Sequence, residues 1–472
     1  MNISESAVSF KEIERTTQKL VNQYGCFVLK MILEKWDSEL MESRDKKQYR
    51  HHGKKRTVIK TVMGEIEYLR TEYQTTIDGK TKFVYLLDEA MGELGSGYFS
   101  ELFSELIVEA CCVSSYRDAA RAVSEMTGQT ISHMAAWTVV QTFGTYVDEA
   151  EHRAAELAAA KKGAGTLEAK VLFEEQDGIY LSLQGKDRKK YGDIKEMKVS
   201  IAYDGAKKVG KERYELTNKV ACANFEGAKK FVSRKDGIIA STYNVDEIDM
   251  RILGGDGARW IRRSQKKGET TYFQLDSYHR NRAILQYISD PEVRKTILEL
   301  LYKKQIDLML EVIEAYSKSV EDKAEIENSL KLYDYFVNNK EGLVAYHRRD
   351  IDLPEPPEGK TYRRLGAMES NVFTIIGNRM KGRRACWSIK GGNNLARMLC
   401  LKHTNRLREV LDSLSVQSLP DKYTEEILTI DFSAAKSPER VGKGYDGYRS
   451  FSVPNSMPWL KDIARIRTVV PY

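Results

Sequence analysis

Between Val171 and Ser277 the chain carries five short apolar runs: VLFEEQDGIYLSLQ, MKVSIAYDG, RYELTNKVACANF, MRILGGDGARWI and TYFQLDS. Three of them are joined by turn-like Asp-Gly and Gly-Lys segments, and short apolar runs bounded in this way predict strands of one mixed sheet. The period then changes. From Asp290 to about Lys340, Leu, Ile and Tyr recur at i, i+3, i+4 through KTILELLYKKQIDLMLEVIEAYSKSV, the apolar stripe of packed helices. The prolines of DLPEPPEG, residues 352–359, stop helical continuation. A sheet region followed by a wholly helical block predicts an α/β chain with more than one structural unit.

Upstream, Val21, Phe27, Val28, Met31, Ile32 and Leu33 have helical spacing. The segment DKKQYRHHGKKRTVIK, residues 45–60, then places seven Lys/Arg against one Asp, beside the alternating stretch TVIKTVMGEIEYLRTEYQT, which predicts a β-meander. Lys54, Lys55 and Arg56 are candidate phosphate contacts, with a solvated charged loop as the alternative. SSYRDAARAVSEMTGQTISHMAAWTVVQTFG resembles helix, turn, helix, with Gly128 supplying the turn and Ser132 capping the second helix. As a DNA-binding helix-turn-helix it would turn the exposed residues of Ser132 to Gln141 to a major groove. That stretch holds no Lys or Arg, and any packed helical hairpin has the same spacing. The Ala-rich segment Glu149 to Gly165 forms helix readily and ends in glycines, an expected domain boundary.

Composition excludes several classes. The 472 residues include 42% hydrophobic and 30% charged residues with 9 Pro, which fits a folded chain and not a fibre or low-complexity tail. No stretch approaches the roughly 20 apolar residues of a membrane helix, and Met1 to Leu20 mixes Glu and Lys where a signal peptide is apolar, so a cytoplasmic protein is expected. Cys26, Cys111, Cys112, Cys222, Cys386 and Cys400 form no C-x-x-C pair and are expected to be ordinary buried thiols. A net charge of +7 decides little until it is located.

The informative residues are acids where folding alone does not call for them. Asp177 lies inside an apolar run, where a charge must be paired, protonated or metal-bound. Asp256 ends the fourth run at a glycine-rich turn, and Asp276 ends the fifth, with His279 three residues on along a starting helix. Glu369 falls in the first turn of the helix expected after the proline loop. Each alone has a structural explanation, since Asp-Gly favours turns and acids favour helix N-termini. Together, oxygen ligands from strands and a helix can hold two divalent cations roughly 3.5–4 Å apart for phosphodiester chemistry, and Mg²⁺, with Mn²⁺ as its substitute, suits such a set. Beside Glu369, residues 361–410 hold eleven Lys/Arg against two Glu. The stretch NRMKGRRACWSIKGGNNLARM interleaves Arg379, Lys381, Arg383, Arg384 and Lys390 with Trp387, a texture suited to tracking a DNA backbone and stacking a displaced base.

Three near-matches are weaker. GAKKVGKE has Glu where a phosphate loop needs Ser or Thr, and GKGYDG lacks a surrounding strand-helix unit. HTNR with Tyr445 and Tyr448 downstream is too short a pattern for a tyrosine recombinase.

The DG of EEQDGIYLSL, the GGDGARWI turn, the D-x-x-H of LDSYH, the helical block and the ESNV…NRMKGRRACWSIKGGNNLARM segment together resemble bacterial insertion-sequence transposases of the ISLre type, relatives of Mutator-like DDE transposases. The resemblance covers nearly the whole chain and weakens after about Val410. It implies a ribonuclease-H-like mixed-sheet core interrupted by an all-helical insertion and preceded by a helix-turn-helix-like region. It further implies Asp177, Asp256 and Glu369 as catalytic metal-binding acids, with Asp276 and His279 as a supporting pair; Glu355, Glu358 and Glu409 are competitors for the third acid. The expected units are residues 1–100 (helix and basic meander), 101–165 (helix-turn-helix-like), 166–289 (first part of the core), 290–365 (insertion), 366–410 (final core helices) and 411–472 (extension). The implied reaction frees a 3′-hydroxyl at a transposon end and joins it to target DNA. Double-stranded DNA is then the partner, the nucleoid the place of action, and synapsis of two ends implies at least a dimer on DNA. A metal-dependent nuclease without strand transfer and a non-catalytic end-binding protein are the alternatives.

Overall fold

The computed structural model describes residues 9–95, 98–265, 270–382 and 384–414. Helix α1 (Phe10–Ser43) starts at a reciprocal cap in which the Ser9 side chain accepts from the Glu12 amide while the Glu12 carboxylate accepts from the Ser9 amide. It lies on the antiparallel meander β1 (Arg50–Lys60), β2 (Glu65–Ile77) and β3 (Lys80–Val84), as the alternation predicts. With α2 (Leu86–Gly95) these elements bury a small core of Ile32, Trp36, Ile59, Ile66, Tyr68 and Leu87.

Three helices follow, α3 (Glu101–Val113), α4 (Tyr116–Thr127) and α5 (His133–Ala159), and the side chains of Ser100, Ser115 and Ser132 each accept a first-turn amide. Gly128 ends α4 in the left-handed region at φ 70°. The hairpin and its cap are therefore as expected. The break at residue 165 does not separate two cores: Phe103, Ile107, Val140 and Phe143 pack in the same cluster as Val171, Phe173, Ile375 and Leu399.

The next elements are β4 (Val171–Ser182), α6 (Gly185–Tyr191), β5 (Ile194–Tyr203), β6 (Ala206–Lys208), β7 (Tyr214–Leu216), β8 (Val220–Asn224), α7 (Ala228–Ala240), β9 (Met250–Gly255), α8 (Arg259–Arg262) and β10 (Thr271–Leu275). The five-stranded mixed sheet has the order β10-β9-β4-β5-β8, with β10, β9 and β4 parallel and the other two pairs antiparallel. The run RYELTNKVACANF, expected as one strand, divides into β7 and β8. Asn218 takes a φ of 52° between them, which a strand cannot continue through, and its side chain with that of Thr217 donates to the Asp204 carboxylate at 2.7 and 2.6 Å. Helix α7 packs closely on α5, because a Cβ at Gly237 would stand 2.5 Å from the Ala155 nitrogen.

Helix α9 (Ser277–Tyr287) starts at Asp276 as expected, and α10 (Pro291–Tyr302), α11 (Ile306–Ser319) and α12 (Lys323–Asn338) fill the expected helical block. Their residues Ile284, Ile297, Ile313 and Phe336 form a second core with Leu253, Phe273 and Leu275 from the edge of the sheet. After the proline loop come α13 (Met368–Asn371), a π-helical stretch Val372–Gly377, α14 (Asn378–Met380), α15 (Ile389–His403) and α16 (Leu407–Leu414). Helix α15 is buried continuously from Gly391 to Cys400. Among the described residues no helix is long and apolar enough to cross a membrane. Cys111, Cys112, Cys222 and Cys400 are buried, with burial pushing the thiols of Cys111 and Cys112 up to about 12, whereas Cys386 is exposed and Cys26 half-buried.

Candidate active site

Strand register brings three aspartates into a row. Gln176 pairs with Gly255 across β4 and β9, and Gly255 pairs with Leu275 across β9 and β10. The next residue on each strand is Asp177, Asp256 and Asp276. Neighbouring strands lie about 4.8 Å apart, so the three acids edge one cleft beyond the carboxyl ends of β9 and β10, where open α/β sheets receive ligands. Glu175, Gln176, His279, Met368 and Glu369 line the same cleft.

Two helices complete it. Asp276 caps α9, one carboxylate oxygen accepting from the amides of Tyr278 at 2.8 Å and His279 at 3.1 Å. The cap starts the helix at the cleft and delivers His279, whose Nε2 lies 3.8 Å from Asp177 Oδ2. Glu369, exposed in the first turn of α13, lines the same cleft. One ligand atom each from Asp177, His279 and Glu369 lie within 4.8 Å of one another. A cation with ligands at roughly 2.0–2.2 Å fits that spacing.

Asp256 lines the cleft outside that closest group. Its Oδ1 accepts from the Ala258 amide at 2.8 Å, and its carbonyl accepts from the Tyr335 hydroxyl at 2.8 Å, tying the end of β9 to α12. Burial pushes its carboxyl above the ordinary value, and the charge of Asp177 adds to the shift. The His279 imidazole is also raised, by the neighbouring Asp177 carboxylate against the opposing effect of burial. The sequence reading paired Asp177 with Asp256 and Glu369 and gave His279 a supporting place; in the fold His279 stands closer to that pair than Asp256 does. Glu355, Glu358 and Glu409 are not among the residues lining the cleft.

Sequence reasoning passed over Glu175. Its carboxylate, 2% exposed, accepts from the amides of Gly366, Ala367 and Met368 and from the Tyr203 hydroxyl. Burial pushes this carboxyl up against the lowering effect of those bonds. Its trace in the sequence is the EE pair two residues before Asp177, which puts two further charges inside an apolar strand.

The basic candidates divide. Lys54, Lys55 and Arg56 are exposed on β1, within 4.0, 3.8 and 2.6 Å of Asp37, Glu72 and Glu67 respectively. Lys381, Arg384 and Lys390 are exposed around the loop before α15, and Arg383 lies outside the described residues, as do residues 415–472 with the GKGYDG stretch and Tyr445 and Tyr448. Trp387 does not fit the stacking role. Its amide donates to the Ser182 carbonyl and its carbonyl accepts from the Gln184 amide, both at 2.9 Å, which sews this segment to the end of β4. The indole is thereby drawn under the surface to 7% exposure, with Nε1 donating to the Met380 carbonyl at 2.9 Å. Arg379 is likewise engaged: Nε donates to the Cys111 carbonyl at 2.8 Å, and the guanidinium lies 5.5 Å from the ring centres of Tyr116 and Trp387.

A UPF0236 protein of Caldanaerobacter subterraneus subsp. tengcongensis is 26% identical over 418 residues, covering 87% of this chain and 80% of the relative. Another from the same bacterium, whose name joins eleven designations, is 25% identical over the same length. A UPF0236 protein from the vanSb 3′ region of Streptococcus gallolyticus is 23% identical, covering 84% of this chain and 79% of the relative. Among solved structures, the Drosophila P element transposase strand transfer complex aligns over 69% of this chain and 85% of its own with 7% identity and a TM-score of 0.22. The family model described as an uncharacterised protein family, UPF0236, matches residues 3–411, and the chain belongs to that family.

Proposed function

We propose that this protein is a DDE-type transposase that cuts the DNA at the end of a mobile element and joins the freed 3′-hydroxyl to a target strand. The observation that carries the reading is the convergence of Asp177, Asp256, Glu369 and His279, from separate strands and helices, on one cleft. The sheet order supports a ribonuclease-H-like core: three antiparallel strands, β4, β5 and β8, extended on the β4 side by two parallel ones. The helices α10–α12, which lie between Asp256 and Glu369 in the chain, are compatible with an insertion into such a core. One further support is genomic. A relative whose name joins eleven designations in one bacterium is compatible with an element present in several copies.

Asp177, His279 and Glu369 would hold one divalent cation, with Asp256 at the margin of the same cleft for a second. Bound there, Mg²⁺ or Mn²⁺ supplies activation of the attacking hydroxyl and stabilisation of the leaving oxygen. The chain itself orients these acids through the β4–β9–β10 register and the Asp276 cap. Exposed Lys54, Lys55, Arg56, Lys381, Arg384 and Lys390 offer charge to the DNA backbone.

The test uses purified full-length chain, Mg²⁺ or Mn²⁺, and linear DNA carrying the inverted repeats that flank its gene. Nicks with 3′-hydroxyls and joined products are expected. Nicks without joining would make the protein a nuclease, and binding without cleavage would make it an end-binding relic. Absence of flanking repeats and of a target duplication would count against transposition.

A further inference from the structure

We propose that Glu175 is a positioning residue of this cleft, setting Glu369 against Asp177 by capping the chain that leads into α13 while holding no cation itself. What Glu369 is positioned for rests on the reading above; the capping does not. Glu175 precedes Asp177 by two residues on β4, so both side chains leave the same face of the strand. Its Oε2 accepts from the Gly366 amide at 2.8 Å and the Met368 amide at 3.2 Å. Its Oε1 accepts from the Ala367 amide at 3.3 Å and the Tyr203 hydroxyl at 2.6 Å. An ionised carboxylate has about four acceptor sites. Four donors occupy them here, which leaves none for a metal.

The bond to Met368 holds the residue immediately before Glu369, and a negative charge at these first-turn amides is the favoured sign for a helix start. Room for the arrangement comes from β9. Gly254 pairs with Glu175, and a Cβ there would stand 2.8 Å from Leu365 Cδ1 and 3.4 Å from Glu175 Cγ. Strand β4 thus sets both sides of the cleft, one directly through Asp177 and the other at one remove through Glu175. Exposed Glu369 thereby gains a fixed starting point.

The experiment measures Mn²⁺ binding by the resonance of the free ion, amide exchange of residues 365–370 by mass spectrometry, and DNA cleavage at limiting and saturating Mn²⁺. Glu175→Ala is expected to speed exchange of this segment and to weaken Mn²⁺ binding by about 10–100-fold, the cost of losing a partner that orients a ligand. Saturating Mn²⁺ should recover part of the cleavage rate, and Glu175→Gln, whose amide oxygen still accepts, should be milder. Unchanged Mn²⁺ affinity in folded Glu175→Ala would reduce the cap to a purely structural role and overturn the proposal. Abolished Mn²⁺ binding with unchanged amide exchange would make Glu175 a ligand and overturn it as well. If Glu175→Ala does not fold, Glu175→Gln and Tyr203→Phe carry the same measurements. Failure of the transposase reading is separable: wild-type protein that binds Mn²⁺ through Asp177 and Glu369 but cuts no DNA removes the DNA chemistry and leaves the capping intact.

Discussion

Strand β4 carries acids on both faces, and the two faces treat them differently. Glu174 turns toward α7, where it pairs with Lys235 and with Arg251 Nη1 at 2.9 Å, and all three side chains are buried. Burial opposes its ionisation, and the charges of Lys235 and Arg251 outweigh that, holding the carboxyl below its ordinary value. Asp177, on the other face, is 17% exposed, meets His279 at 3.8 Å and borders an open cleft with other acids. A charge in a strand is therefore no functional mark in itself. What separates the two is whether the fold supplies compensating partners, as it does for Glu174, or gathers more acids beside it, as it does for Asp177.

The sharpest way to break this contrast is to neutralise each side in turn. Asp177→Asn should lower DNA cleavage about a thousandfold while leaving the melting temperature and DNA affinity near wild type; a large loss of stability would place Asp177 with Glu174. Lys235→Ala should do the reverse, costing about 3–5 kcal/mol because it leaves a buried carboxylate with Arg251 alone to compensate it. A denaturant midpoint close to wild type would show that water already compensates Glu174.

Trp387 belongs to the structural side. Trp387→Ala should destabilise the fold by about 3–5 kcal/mol, whereas Lys390→Ala should weaken DNA binding alone. A stable Trp387→Ala variant deficient only in DNA binding would restore the stacking role that burial denies it.

A smaller effect follows from His279. The Asp177 carboxylate beside it raises its pKa in the fold. The associated stability is fully present below the unfolded value, about 6.5, and is lost as pH rises through the folded value. Metal-free midpoints should decline over that window, and His279→Gln should flatten the decline; an unaltered profile would remove the pair as its cause. Over the same window a cation that needs neutral imidazole binds better.

The smallest effects are expected at Lys54, Lys55 and Arg56. The three cations are themselves exposed, and Lys54 and Lys55 stand 4.0 and 3.8 Å from the buried Asp37 and Glu72, so each contributes little to stability. Each alanine variant should reduce the slope of DNA affinity against salt by about one unit. An unchanged slope would make the block solvated charge.

Much of the architecture was legible because it is written in local period. The meander around Lys60, the capped hairpin at Gly128 and Ser132, the strands bearing Asp177, Asp256 and Asp276, and the helices after Asp290 all follow from contacts between near neighbours in the chain. Asp177 and Asp256 stand out in the sequence too, since they sit where a strand gains nothing from a charge. The division of RYELTNKVACANF at Asn218 was not, because the bonds to Asp204 that accompany its left-handed backbone reach to the bend between β5 and β6.

By itself the sequence determined the elements and nominated the acids. Only the tertiary structure decided that Asp177, Asp256 and Asp276 share one row, that His279 stands closer to Asp177 and Glu369 than Asp256 does, that Glu175 spends its carboxylate on the start of α13, and that Trp387 is buried. The physical reason is range. Period and capping act within a turn or two of the chain, whereas register between strands and the docking of α9, α13 and α15 depend on residues far apart in sequence, whose meeting no local pattern encodes.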